Sequence, residues 1–154
     1  MKILIRLPNW LGDVVMSTAF VAAVRETYPD SKIDVIVKKE LAGIAALIPG
    51  IDKVYPFSKQ EYQGLGGVYR FGKNLRNEKY DIFFNLPASL SSLVMARATG
   101  AKKRIGFAKE GGVFLLTNSY KAPANLHRVD EYMCLLEQYT GKNITSRTVA
   151  LLPL

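Results

Sequence analysis

Histidine, cysteine and tryptophan each occur once in this chain, as His127, Cys134 and Trp10. A lone cysteine excludes an internal disulfide and suits a reducing compartment. One histidine with one cysteine leaves too few soft ligands for a zinc site, so neither a metal nor another cofactor is expected. Also missing is any uninterrupted apolar run long enough to span a bilayer. Lys2, the aliphatic residues after it and the stretch from Ala19 to Ala23 mimic a secretory leader, but Arg6, Pro8 and Asp13 interrupt its apolar core. These absences predict a cytoplasmic protein, at most peripheral to a membrane.

Several signatures are absent too. There is no Walker loop, no Gly-x-Gly-x-x-Gly after the first apolar run, no His-Glu-x-x-His and no Gly-x-Ser-x-Gly. Kinase-like, dinucleotide-dehydrogenase, zinc-protease and lipase readings fall with them. Acidic residues are scarce, 13 against 21 Lys+Arg, which leaves a net charge of +8. That excess favours an anionic partner: a nucleotide, a phosphorylated glycolipid, an anionic membrane face or nucleic acid. Aromatic residues do not interleave with the cations as a base-stacking platform requires, so nucleic acid is not the expected partner.

What is present is one domain's worth of alternating elements. The 154 residues are 49% hydrophobic and 22% charged, enough for a real core. Lys2–Leu7 reads as a strand buried on both faces, Val14–Val24 as a helix apolar almost all round, and Ile33–Val37 as a second strand. A helix over Glu40–Ile48 stops at Pro49 and Gly50, and Val54–Phe57 is a third strand. Ser58–Gly67, with Gly64, Gly66 and Gly67, reads as a mobile surface loop, followed by a helix over Val68–Glu78. Ile82–Leu86 is a fourth strand, a helix runs to Thr99 and ends at Gly100, and Arg104–Phe107 is a fifth strand. Gly111–Tyr120 has no secure assignment. His127–Tyr139 is an amphipathic closing helix capped near Gly141, with His127 in a structural hydrogen-bonding position at its start. The expected fold is α/β, a Rossmann-like doubly wound parallel sheet. Thr148–Leu154 is an aliphatic tail that either docks back on the sheet or begins the linker to a second domain, so that 1–147 forms the core.

The stretch Arg6–Ser17 joins the first strand to the first helix. Pro8, Asn9 and Gly12 punctuate it, Gly12 lets backbone come close to a ligand, and Asp13 falls in the first helical turn. In an open parallel sheet this loop borders the ligand crevice, which makes Asp13 the candidate for chemistry. The same position equally suits an Asp that only stabilises unpaired N–H groups, worth about 0.3–1 kcal/mol. Asn85, Leu86, Pro87 and Ser89 form the corresponding loop after the fourth strand, where Ser89 either faces the crevice or caps a helix. Arg70, Lys73 and Arg76 recur at spacings of three and share one helical face, a binding face or a solvated one. Lys102, Lys103, Arg104 and Lys109 form a second basic cluster.

The run Leu7, Pro8, Asn9, Trp10, Leu11, Gly12 and Asp13 resembles the opening of the ADP-heptose:lipopolysaccharide heptosyltransferases, glycosyltransferase family 9. The resemblance continues through Arg76, Tyr80 and Asp81, then Leu86, Pro87, Ser89 and Ser92, then Arg104 with Gly106, and His127 to Tyr132. The Leu-Pro-x-Ser loop looks more like that of heptosyltransferase II than that of heptosyltransferase I. The resemblance implies a GT-B fold, of which these residues match only the amino-terminal, acceptor-binding half. The carboxyl-terminal half, which in the family holds most of the ADP-sugar site and a catalytic lysine, has no counterpart here, so turnover by these residues alone is not implied.

What the resemblance does imply is an inverting, metal-independent transfer of heptose from an ADP-heptose donor to the lipopolysaccharide inner core, on the cytoplasmic face of the inner membrane. Asp13 matches the family's catalytic base. Asn9 and Gly12 fall where the leaving group would be met. Arg70, Lys73 and Arg104, with Ser89, become the candidates for holding the anionic acceptor, and Lys59 and Arg76 stand behind them. The rival from another class is a non-catalytic α/β module that binds an anionic glycolipid or a partner protein through its basic edge.

Overall fold

The computed structural model describes residues 1–108, 112–124, 126–144 and 149–152. Six strands, β1 (Lys2–Arg6), β2 (Lys32–Lys38), β3 (Lys53–Phe57), β4 (Ile82–Asn85), β5 (Lys103–Phe107) and β6 (Asn118–Tyr120), form one sheet in the order β3-β2-β1-β4-β5-β6. Every pairing is parallel. The order reverses direction between β1 and β4, and the space beyond their carboxyl ends is where such sheets bind ligands. The helices are α1 (Leu11–Met16), α2 (Thr18–Thr27), α3 (Ala42–Ala45), α4 (Gly64–Lys73), α5 (Leu90–Thr99) and α6 (Arg128–Thr140).

Alternate residues of β1 divide between two cores. Ile3 and Ile5 pack with Phe20, Val24, Met133 and Leu136 on one face, and Leu4 packs with Ile36, Phe71, Leu75, Phe83 and Met95 on the other. Burial on both faces is why the central strands are continuous aliphatic runs, and each such side chain contributes about 1.5–3 kcal/mol. On the second face α4 and α5 pack so closely that a Cβ at Gly72 would come within 2.6 Å of the Met95 carbonyl oxygen. A glycine is required there by its neighbour.

The five expected strands and the doubly wound sheet are present. The differences are local. The first helix starts earlier, at Leu11, and is interrupted at Ser17, whose hydroxyl donates to the Val14 carbonyl while Thr18 donates to that of Val15. Side chains that compete for helical carbonyls loosen a helix at that point. The helix expected over 40–48 shrinks to a 3-10 turn at Lys39–Leu41 and the single turn of α3.

The glycine-rich loop is shorter than expected, because α4 begins at Gly64. Gly64 enters the helix at a φ of +64°, and a Cβ at Gly67 would strike the Tyr62 backbone at 2.4 Å. These glycines build a tight helix entry. The preceding turn is anchored by Tyr62, whose ring meets Phe71 edge-on at 5.1 Å. The helix also ends earlier, at Lys73, before a 3-10 turn at Arg76–Glu78.

The unassigned segment carries a 3-10 turn, Val113–Leu115, and the sixth strand, β6, paired with β5 from Ile105↔Asn118 to Phe107↔Tyr120. Its three polar-leaning residues lie at the sheet edge, where an apolar run is not needed. Of the aliphatic tail, residues 149–152 dock back: the Ala150 N–H donates to Thr18 Oγ1 at 3.0 Å, the Leu152 N–H donates to the Leu47 carbonyl at 2.6 Å, and Leu151 packs on the first core. Thr148, Pro153 and Leu154 lie outside the described residues, as do Lys109 and Gly111. No helix among the described residues is long and apolar enough to cross a membrane.

Candidate functional site

At its carboxyl end β1 is stitched to β4, where the Leu86 N–H donates to the Arg6 carbonyl at 3.1 Å, and to β2, where the Leu7 N–H donates to that of Ile36 at 2.9 Å. Beyond this the chain turns through Pro8, Asn9 and Trp10 into α1. Buried Val14 holds α1 against the core, which leaves Trp10 and Leu11 exposed and carries Asp13 to the wall of a cavity of about 240 Å³. Asn9, Trp10, Pro87, Arg128, Glu131 and Tyr132 are among its other walls. The Asp13 side chain keeps 18% of its surface accessible, so the carboxylate faces this groove and is not packed into the core.

Arg128, the first residue of α6, places Nε 3.6 Å from Asp13 Oδ1 and Nη1 3.0 Å from Glu131 Oε2. Partial burial works against the Arg128 charge, but Glu131 and then Asp13 outweigh it and raise its pKa. One turn on, the Tyr132 phenol is pushed up, first by burial and then by the Asp13 charge, and stays neutral. Two carboxylates and one guanidinium thus line the cavity. Among the described residues no three His, Cys, Asp or Glu side chains cluster as a metal site would require.

Arg6 was invisible as a site residue in the sequence, where its only mark is a cation inside an aliphatic strand. It is 4% exposed, and burial lowers its pKa to about 10. Nη1 donates to the Leu7 carbonyl at 2.7 Å and Nη2 to Asn9 Oδ1 at 2.6 Å. Among the described residues no carboxylate pairs with it. Its register partner Asn85 performs a similar service on β4, where Nδ2 donates to the Pro87 carbonyl at 2.7 Å and to Ser92 Oγ at 3.1 Å.

The other expected site residues divide. Asn9 and Asp13 share the cavity wall. Gly12 lies between them in sequence, and a Cβ there would meet nothing within 4 Å, so its surroundings are open. Ser89 is the N-cap of α5, its hydroxyl accepting from the Ser92 N–H at 3.3 Å. Arg70 does not line the cavity: Nη2 donates to the Glu61 carbonyl at 2.9 Å and the guanidinium lies 5.0 Å from the Tyr62 ring centre. Lys73 is exposed in the last turn of α4. Arg104, near the amino end of β5, donates to the carbonyls of Leu115 and Ala101 at 3.0 and 2.9 Å. Arg76 ties the 3-10 turn after α4 to α5 through the Ala98 carbonyl at 2.7 Å. Lys59 is exposed and outside the cavity, and His127 is the N-cap of α6 without a side-chain capping bond. A second, largely apolar cavity of about 660 Å³ adjoins the first, sharing Ala88 and Phe107.

A family model described as glycosyltransferase family 9 (heptosyltransferase) matches residues 68–151. The chain belongs to that family. It is 33% identical over 143 residues to lipooligosaccharide heptosyltransferase 2 of Haemophilus ducreyi, a match covering 92% of this chain and 39% of that protein. It is 29% identical over 135 residues to the lipopolysaccharide core heptosyltransferase OpsX of Haemophilus influenzae, covering 85% of this chain and 38% of that protein. The chain therefore spans about two-fifths of the curated relatives it matches.

Among solved structures it superposes on Escherichia coli ADP-heptose lipopolysaccharide heptosyltransferase II with a TM-score of 0.74 at 26% identity, covering 88% of this chain and 40% of that one. A family 9 glycosyltransferase from Veillonella parvula shares the fold with a TM-score of 0.85 at 22% identity, covering 98% of this chain and 44% of that one. The all-parallel Rossmann-like sheet thus matches one half of GT-B glycosyltransferases.

Proposed function

We propose that this chain is the acceptor-binding, catalytic-base half of an inverting glycosyltransferase that moves heptose from ADP-heptose to the inner core of lipopolysaccharide. The observation that carries the reading is Asp13: a carboxylate on the wall of a groove at the switch point of the sheet, in a chain of the heptosyltransferase family. A sugar hydroxyl is a weak nucleophile. Asp13 accepts its proton as the hydroxyl oxygen bonds to the anomeric carbon, and the bond from that carbon to the ADP oxygen breaks on the opposite face, which inverts the configuration. Negative charge moves to the departing ADP, whose stabilisation falls to donors facing it.

Asn9 and Gly12 are the residues of this half nearest that event. Lys73 on α4, which is exposed, and Arg70 and Arg104, whose guanidinium groups also bond within the fold, supply positive potential for the phosphates or carboxylates of the acceptor, and Ser89 also caps α5. Most of the ADP-sugar site belongs to a second domain of the kind the longer relatives have room for, and the working place is the cytoplasmic face of the inner membrane. The test is single-turnover transfer from ADP-heptose by the chain joined to such a domain. Asp13→Asn is expected to lower the chemical step by about 10²–10⁴ while leaving the fold and the donor affinity intact. Transfer at the unsubstituted rate would remove the assignment.

A further inference from the structure

Buried guanidinium groups are normally paired with a carboxylate, because a charge taken out of water must find compensation. Arg6 is buried at the carboxyl end of the central strand, yet its partners are the carbonyls of Leu7 and, at the limit of bonding distance, Ile36, together with Asn9 Oδ1. Its Nε has no partner among the described residues. Dipoles surround it where an anion would be expected.

The bond to Asn9 has a directional consequence. Arginine can only donate, so the Asn9 atom 2.6 Å from Nη2 must be the amide oxygen, whichever way round a carboxamide could be drawn. Asn9 lines the Asp13 cavity, and with its oxygen committed to Arg6 the group it offers there is the NH₂. That NH₂ has no partner among the described residues. It is a donor held ready beside two carboxylates, Asp13 and Glu131.

The residue type at position 9 sharpens the point. An aspartate there would complete the ion pair with Arg6, but it would add a third negative charge to the cavity and remove the donor. Asparagine leaves the Arg6 charge uncompensated and passes its polarisation through the amide to the NH₂.

We propose that Arg6 is a positioning residue, which locks the Asn9 carboxamide with its NH₂ toward the Asp13 cavity as a donor to a phosphate oxygen of the ligand, and that the buried charge of Arg6 is answered only when that phosphate arrives. The choice of phosphate rests on the proposed function. The orientation of Asn9 does not.

The experiment is a titration of the ¹⁵N-labelled 154-residue chain with inorganic phosphate and, separately, with ADP, following the side-chain amide signals of Asn9. Both probes are expected to move that pair of signals. Arg6→Met is expected to weaken binding about tenfold and to shift the Asn9 pair toward the positions of a freely rotating amide, with Arg6→Lys recovering part of both. Asn9→Asp is expected to raise Tm, because Arg6 gains its counter-charge, and to abolish binding of both probes as read from the backbone amide signals of Trp10 to Val14, since this variant has no side-chain amide at position 9.

Opposite movement of stability and binding is a result that a purely structural Arg6 would not produce. Asn9 signals unmoved by either probe, wild-type affinity in Arg6→Met, or retained binding in Asn9→Asp would each overturn the proposal. Should Arg6→Met fail to fold, Arg6→Lys and Asn9→Asp still decide it. Because no sugar transfer is measured, these results are independent of whether Asp13 proves to be the base.

Discussion

Asp13 and Arg128 lie 115 positions apart in the sequence, yet Arg128 Nε sits 3.6 Å from Asp13 Oδ1. The contact joins the first turn of α1 to the first residue of α6, so one wall of the cavity is built from opposite ends of the chain. A pair at this distance with a half-exposed arginine adds less than about 1 kcal/mol to stability. Its consequence is orientation: the guanidinium holds one carboxylate oxygen, which in the proposed reaction would leave the other for the substrate hydroxyl.

Arg128→Met is therefore expected to leave Tm nearly unchanged while lowering kcat for heptosyl transfer about tenfold in a two-domain enzyme, because a loosened base spends less time in the reactive geometry. Steady-state kinetics beside a thermal melt check it. A stability loss without a kinetic effect would assign Arg128 to packing alone.

The basic face of α4 should act through charge. Replacing Arg70 and Lys73 together by alanine is expected to weaken binding of an anionic acceptor, and the deficit should shrink as salt rises, since exposed charges are screened beyond about 10 Å at 0.1 M ionic strength. Titrations at two salt concentrations separate this from a shape effect. Equal affinities would make that face a solvated one.

Asp34 is fully buried on β2, and the Tyr80 hydroxyl donates to its Oδ2 at 2.5 Å while Oδ1 has no partner among the described residues. Tyr80→Phe removes the donor and strands a buried carboxylate. A loss of about 1–3 kcal/mol in urea unfolding is expected. Phosphate binding should stay as it was, because Asp34 lies toward the amino end of β2, opposite Lys53 at the start of β3.

Asp81 ties the starts of β1 and β4, accepting the Lys2 N–H at 2.9 Å. That bond, with help from Lys102, holds its pKa below the ordinary value of 3.8. A depressed folded-state pKa contributes stability that is complete above the unfolded value and is lost as pH falls through the folded one. Stability should thus decline on acidification below pH 3.8, and Asp81→Asn should flatten that part of the curve. Tm measured from neutral to acidic pH checks both.

The sheet was legible because β1, β2 and β4 are buried on both faces, and such strands must be aliphatic throughout. Strand β6 was not legible, since an edge strand of three residues needs no apolar pattern to be held by its neighbour. The glycines at 64, 66 and 67 read as loop because glycine marks turns far more often than it opens a helix. Only the approach of the Tyr62 backbone shows why position 67 must lack a side chain.

By itself the sequence determined five of the six strands in their order, the parallel sheet, the family and the placing of Asp13 after the first strand, all of which depend on local spacing and on short runs of residues. Tertiary structure alone decided that Arg128 and Tyr132 flank Asp13, that Arg6 is buried under Asn9, and that Arg70, Arg76 and Arg104 have their guanidinium groups engaged in bonds within the fold. The physical reason is that a cation carries the same letter whether it faces solvent, spans two helices or lies beneath a loop. Its role is set by which distant carbonyl, amide or carboxylate the fold brings within about 3 Å of it.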